Sequence, residues 1–148
     1  MITYSQTEGK PEIELLSSIQ ALYEEIFGNI DQDKFKKRVQ TSECLLTVIA
    51  WSDHKMIGFK MGYASDANTF YSWIGGVKKE HRKNGIAREL MLLQHKWCAQ
   101  NKFQYIRTKT MNRWRGMLIL NLKNGFDIIE TYTDEKKELK IVLEKRLK

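Results

Sequence analysis

Residues 77–87 read Val77-Lys78-Lys79-Glu80-His81-Arg82-Lys83-Asn84-Gly85-Ile86-Ala87. Five side chains able to carry positive charge fall within the six positions 78–83, and a glycine then opens the strongest amphipathic pattern in the chain. The first N–H groups of a helix have no partner inside it, the helix dipole is positive at that end, and glycine lets a ligand approach the main chain. The chemistry on offer is a cradle for a pyrophosphate. The same residues also describe a solvated basic loop before a routine helix start, and charge alone favours that plainer description.

Other chemistries lack their residues. There is no Gly-Lys-Ser/Thr phosphate loop and no glycine-rich dinucleotide fingerprint, so NTP hydrolysis and hydride transfer are not expected. His54, His81 and His95 share no zinc-ligand spacing with one another or with Cys44 and Cys98, and no metal is expected. A Gly-x-Ser-x-Gly elbow is absent, and His95 with Cys98 reads as a packed or exposed pair rather than a catalytic couple.

These residues need elements to position them. Residues 11–27 place Ile13, Leu16, Ile19, Tyr23 and Ile26 on one helical face, with Pro11 suited to the first turn and Gly28 to the stop. A short helix follows at 31–40, with acidic residues early and basic residues late. The runs 45–51, 56–64 and 69–77 are β-branched, aromatic or alternating, and predict three successive antiparallel strands. Residues 85–100 predict a helix through Ile86, Leu90, Leu93 and Trp97. A strand at 105–111, a helix at 113–124 stopped by Gly125, and strands at 126–133 and 139–143 complete the order. The fold class is α/β: one domain over 1–148, with a mixed, largely antiparallel central sheet and helices on both faces.

The composition agrees with one folded domain. Of 148 residues, 42% are hydrophobic and 29% charged, too apolar for disorder. The longest apolar run, 44–51, falls far below the ~20 residues of a membrane span, so no membrane partner is expected. The first residues show no secretory leader, and both cysteines lie in apolar segments where buried free thiols are usual, which together predict a cytoplasmic protein. The formal charge of +7 favours an anionic partner.

In its strand, loop and helix context, the segment Arg82-Lys83-Asn84-Gly85-Ile86-Ala87 resembles the Gln/Arg-x-x-Gly-x-Gly/Ala signature of the GNAT superfamily, the Gcn5-related N-acetyltransferases. Asn124-Gly125-Phe126, closing the last helix, is similar to the Gly-Phe boundary after the fifth strand of such enzymes. The resemblance extends to the element order over nearly the whole chain. It implies acetyl-CoA as cosubstrate, lying between the splayed ends of the strands at 69–77 and 105–111. Its pantetheine would run beside Gly75, Gly76 and Val77, and its pyrophosphate would take the amides and side chains of Arg82, Lys83, Asn84, Gly85, Ile86 and Ala87. Arg88 would add a phosphate contact, with a plain surface role equally open, and Asn112 matches a place where relatives contact the cofactor.

Many relatives carry on the last helix a tyrosine that protonates the departing thiolate. Aligned on Gly125-Phe126, that place holds Asn121, which can donate a hydrogen bond but cannot act as an acid; a helix-surface role is equally open. No carboxylate lies in 69–77, and Asp66, Glu80 and Glu43 read as solvated turn residues, leaving the proton to a water chain. Tyr71 and Trp73 are candidates to line the acceptor pocket, although an aromatic stripe in a strand more often belongs to the core. The implied activity is direct acetyl transfer to a primary amine of a small molecule or peptide, by a monomer or homodimer. The rival is a non-catalytic basic module binding CoA, nucleic acid or a protein partner. Residues 78–83 have no interleaved aromatic, so nucleic acid is not expected.

Overall fold

The β-branched run at the middle of the sequence is covered on both sides. In the computed structural model, which describes residues 1–147, strand β2 (Glu43–Ser52) buries six consecutive residues, 45–50. Leu46, Val48 and Ala50 enter one apolar cluster and Leu45 and Ile49 another. A strand whose successive side chains point to opposite faces can bury them all only when both faces are packed. Helices α1 (Ile13–Phe27) and α2 (Gln32–Thr41) cover one face and α3 (Ile86–Gln100) the other. Helix α4 (Arg115–Lys123) adds Met117, Leu118 and Leu120 to the α3 side.

The remaining strands are β1 (Ile2–Glu8), β3 (Lys55–Ala64), β4 (Thr69–Val77), β5 (Tyr105–Thr110), β6 (Asp127–Thr133) and β7 (Leu139–Arg146). Their order is β1-β2-β3-β4-β5-β7-β6, antiparallel throughout except for the parallel pair β4 and β5. That pair is short. It joins Thr69–Ser72 to Tyr105–Thr108, after which β4 continues against β3 alone and β5 against β7 alone. Between Met61 and Gly62 the β3 register passes from Ile74 to Ser72, so Trp73 is an extra, bulged residue where the two strands part. The sheet therefore opens along the second half of β4.

Four details depart from the sequence expectation. Strand β1 was not predicted; it pairs antiparallel along β2 at the sheet edge, and its Ile2 and Tyr4 pack against the α3-side cluster. Pro11 precedes the extended N-cap Glu12 instead of lying in the first turn, and Ile13, 86% exposed, does not join the apolar face of α1. Cys44 is exposed where a buried thiol was expected, while Cys98 is buried. Among the described residues no helix is long and apolar enough to cross a membrane.

Candidate active site

A cleft of about 820 Å³ occupies the opening between β4 and β5. One wall comes from α1 and α2 through Tyr23, Phe27 and Phe35, the other from β5 and the start of α4 through Thr108, Thr110 and Trp114. The ring of Phe27 meets that of Trp114 edge-on with centroids 6.1 Å apart, linking the two walls. Of the residues singled out in the sequence, Tyr71, Trp73, Gly75 and Asn121 line this cleft. Trp73 also stacks on Phe35 at 5.4 Å, and Tyr71 meets Tyr63 edge-on at 5.6 Å. The choice between core and pocket therefore dissolves: the aromatic stripe packs α2 with one side and faces the cleft with the other. Burial, with smaller effects from Tyr63 and Tyr132, raises the Tyr71 phenol to about 12, so it keeps its proton and can donate a hydrogen bond.

Asn121 is not a helix-surface residue. It is the one buried residue of α4, only 3% exposed. Its carbonyl accepts the Phe126 and Asn124 N–H groups, both at 3.1 Å, after Gly125 turns the chain at φ +95°. The Asn-Gly-Phe boundary thus sets the height at which Asn121 enters the cleft. Its side chain lines the cleft, where an amide can donate a hydrogen bond to a ligand.

Sequence reasoning missed Lys60. It sits on β3 opposite Gly75 in the ladder, is 8% exposed, and lines the cleft. A Cβ on Gly75 would fall 3.0 Å from the Phe59 carbonyl oxygen and 3.3 Å from Lys60 Cγ, so the glycine makes room for the lysine stem. No carboxylate pairs with the ammonium among the described residues, and burial lowers its pKa to about 8. The alternation of β3 assigns Lys60 to a polar phase together with Gly58 and Gly62. The visible signal was a lysine between two glycines in a strand with buried neighbours on both sides.

On the α3 side, His95 Nδ1 lies 3.1 Å from Lys145 Nζ and its ring packs on Phe126. Burial, then Lys145 and Lys60, lower the His95 pKa to about 3, so the ring stays neutral. The Cys98 thiol is raised to about 12 by burial. Neither group is set up as a nucleophile or base. The carboxylates are placed likewise: Asp66 accepts the Asn68 and Thr69 N–H groups at 2.8 and 2.9 Å, which hold its pKa low, and Glu43 and Glu80 are exposed and outside the cleft lining.

The basic loop forms a separate group. Lys78 pairs with Glu25 at 3.6 Å, and a 3-10 turn spans Lys79–His81. Arg82 Nε donates to the Val77 carbonyl at 3.0 Å and Asn84 Nδ2 to that of His81 at 3.3 Å, so both side chains brace the loop. Lys83 and Gly85 are left-handed at φ +67° and +76°, and α3 starts from Gly85 with no side-chain cap. A Cβ on Gly85 would meet nothing within 4 Å. The α3 terminus is thus open to an anion. The side chains of Val77 and Ile86 are buried in the core and that of Ala87 packs against it, while the Val77 carbonyl is taken by Arg82. Gly76 packs on Ile26 and Phe27. Gly76, Val77, Arg82 to Arg88 and the exposed Asn112 stand outside the cleft lining, although Met111 and Arg113 on either side of Asn112 belong to it.

Sequence and fold comparisons place the chain in a family. The model of the Acetyltransferase (GNAT) family matches residues 13–114, and the chain belongs to that family, the class of acetyl-CoA-dependent N-acetyltransferases. No curated protein matches it by sequence. The ribosomal-protein-S18-alanine N-acetyltransferase from Escherichia coli has the same fold with TM-score 0.83 at 14% identity, over 99% of this chain and 94% of that one. A GNAT family acetyltransferase from Elizabethkingia anophelis with acetyl-CoA bound gives 0.74 at 18% identity, over 98% and 97%. Aminoglycoside 6'-acetyltransferase type Ii gives 0.80 at 15%, over 97% of each chain.

Proposed function

We propose that this protein moves an acetyl group from acetyl-CoA to a primary amine by direct attack, without a covalent enzyme intermediate. One observation carries the reading. The sheet opens between β4 and β5 into a cleft whose lining includes the side chain of the buried Asn121. The main chain from Gly75 to Val77 is offered to the pantetheine and the uncapped start of α3, with Arg82 to Arg88, to the pyrophosphate. The open α3 terminus fits such an anion, because nothing within 4 Å would be displaced from Gly85.

In this reading the acceptor nitrogen bonds to the thioester carbonyl carbon, the C–S bond breaks, and the proton shed by the nitrogen reaches sulfur through water. Asn121 donates a hydrogen bond where negative charge develops, and the Lys60 ammonium adds positive charge at the same cleft floor. Only a neutral amine attacks, and an unperturbed alkylamine has a pKa near ~10.4. The carboxylate lining the cleft, Asp31, is occupied as the α2 cap, accepting the Lys34 N–H at 3.0 Å. The basic limb of kcat/KM is therefore expected to move with the acceptor's own pKa.

Thiol release from acetyl-CoA, measured across amines of graded basicity, tests the assignment. Turnover whose pH limb follows the acceptor supports it. A saturable thermal shift with CoA but no turnover with any amine would make the protein a CoA-binding module.

A further inference from the structure

The walls of the cleft carry more positive charge than their own carboxylates balance. Lys34 and Arg38 stand one helical turn apart on α2, and Lys109 on β5 and Lys136 between β6 and β7 lie on the other side. None of these four has a carboxylate at ion-pair distance among the described residues. Arg38 lies 5.4 Å from the Tyr63 ring centre, and Lys109 lies 5.5 and 6.0 Å from those of Tyr132 and Tyr71. Nearby cations are treated differently. Lys140 is paired with Asp134 at 3.6 Å and Arg113 with Glu138 at 3.5 Å.

Like charges held around one concavity repel, and the repulsion is relieved by an anion placed between them. The cosubstrate does not need these groups for its pyrophosphate, which has the separate basic loop 78–88 and the open end of α3. Lys34 and Arg38 belong to α2, on the sheet face opposite α3. The surplus charge therefore belongs to the acceptor side.

Resting on the acetyl-transfer reading, we propose that the acceptor is a primary amine that carries negative charge of its own, as carboxylate or phosphate, close to the reacting nitrogen. The walls suit such a molecule from both directions. The aromatic rings of Tyr63, Tyr71 and Trp73 supply apolar contact between the two groups of cations. An acceptor with further positive charges would meet Lys34, Arg38, Lys109 and Lys136 with no matching acid except Asp31, already engaged. A free acidic metabolite and the N-terminus of an acidic peptide present the same chemistry.

The test separates preference from turnover. With CoA saturating, binding of amidated tetrapeptides of sequence Ala-Glu-Glu-Phe, Ala-Gln-Gln-Phe and Ala-Lys-Lys-Phe is measured by calorimetry at low salt. Free glutamate against glutamine forms the small-molecule arm. Acetyl-CoA is then supplied and thiol release followed. At least a tenfold preference for the acidic member is expected, greatest in whichever arm resembles the natural acceptor, and it should collapse in 0.5 M salt as exposed charges are screened. The double variant Lys34→Glu/Arg38→Glu should invert the order, and the milder Lys34→Gln/Arg38→Gln should flatten it if the reversal unfolds the helix. Equal or basic-favouring affinity, or no binding in either arm, overturns the inference. Acidic preference in binding with no thiol release supports the inference about the cleft and sinks the acetyl-transfer reading, whereas release with a neutral or basic preference does the reverse.

Discussion

In the proposed reading, the loop before α3 and the floor of the cleft meet a ligand in opposite ways. The loop offers main-chain amides and exposed cations, and its structure is local: residues 77–85 brace one another through Arg82, Asn84 and the turn at Lys79. The floor offers two buried side chains, Lys60 from β3 and Asn121 from α4, both lining the cleft of a sheet that parts at Trp73. Ligand binding at the loop is a matter of shape and helix dipole, and it does not require burying a charge. At the floor an unpaired ammonium is held out of water before any ligand arrives. The loop therefore costs little to build, whereas the floor carries the cost of a buried, unpaired ammonium.

The largest effect is expected where the comparison is broken at the loop. Gly85→Glu places a carboxylate at the open end of α3 and forces a side chain into φ +76°. Losing charged hydrogen bonds is worth about 1.5–3 kcal/mol, so the Kd for CoA should rise by roughly ten- to a hundredfold. Gly85→Ala shares the backbone strain but not the charge, and its Cβ meets nothing within 4 Å. It should lower Tm while keeping most of the CoA affinity. Calorimetry on both variants decides, and equal CoA affinity in Gly85→Glu and wild type would remove the phosphates from this loop.

A smaller but more diagnostic effect is expected at Lys60. Its folded pKa of about 8 lies below the ordinary lysine value of 10.5. Between those values the unfolded chain binds a proton that the folded one has shed, so this group makes stability rise with pH from about 8 to 10.5. Lys60→Met removes the buried charge. It should stabilise the protein at pH 7 by an amount on the order of 1–3 kcal/mol, with the gain shrinking as pH passes through that window. His95 acts in a different range. With its folded pKa near 3 against 6.5, it withdraws stability as pH falls below about 6.5, and Lys60→Met should keep most of that acid limb, since burial is its largest cause and Lys60 its smallest. Denaturant titrations at pH 5, 7, 9 and 10.5 would show it. A Lys60→Met variant less stable than wild type at pH 7 would mean that the ammonium has a partner and that the floor is not electrostatically strained.

How far each region could be read from the chain follows from the same contrast. The loop announces itself because its determinants are consecutive: a basic run, Gly85, then Ile86, Leu90 and Trp97 at helical spacing. Asn121 was reachable only through the Asn-Gly-Phe boundary, and its burial depends on α4 lying over the opening of the sheet. Lys60 was illegible because its burial depends on the helices covering both faces of β3, while the alternation of 56–64 places it in a polar phase. Strand β1 escaped for a related reason: as an edge strand it is mostly exposed, so Ile2–Glu8 shows no apolar run. The acceptor-side cations escaped because Lys34, Arg38, Lys109 and Lys136 are scattered through three parts of the chain and gather only around the cleft.

The finest test of the contrast is Asn121→Ala, since it removes a neutral hydrogen bond rather than a charge or a phosphate site. The side chain lines the cleft and is not part of either apolar cluster, so truncation leaves the packing of both in place. Its carbonyl contacts to Asn124 and Phe126 belong to the main chain and survive the substitution. The folded protein should therefore lose little stability, and CoA affinity, which the proposed reading assigns to the loop, should stay within about threefold, a change of well under 1.4 kcal/mol. Turnover should fall by about tenfold and by less than ~100-fold, because a hydrogen bond to developing charge is worth less than a general acid, whose removal costs 10²–10⁴. Adding Lys60→Met to Asn121→Ala should lower turnover by less than the product of the single effects if the two side chains stabilise the same developing charge. Multiplicative losses would assign them to separate steps. A loss of CoA binding in Asn121→Ala alone would mean that the floor, and not only the loop, holds the cosubstrate in its ground state.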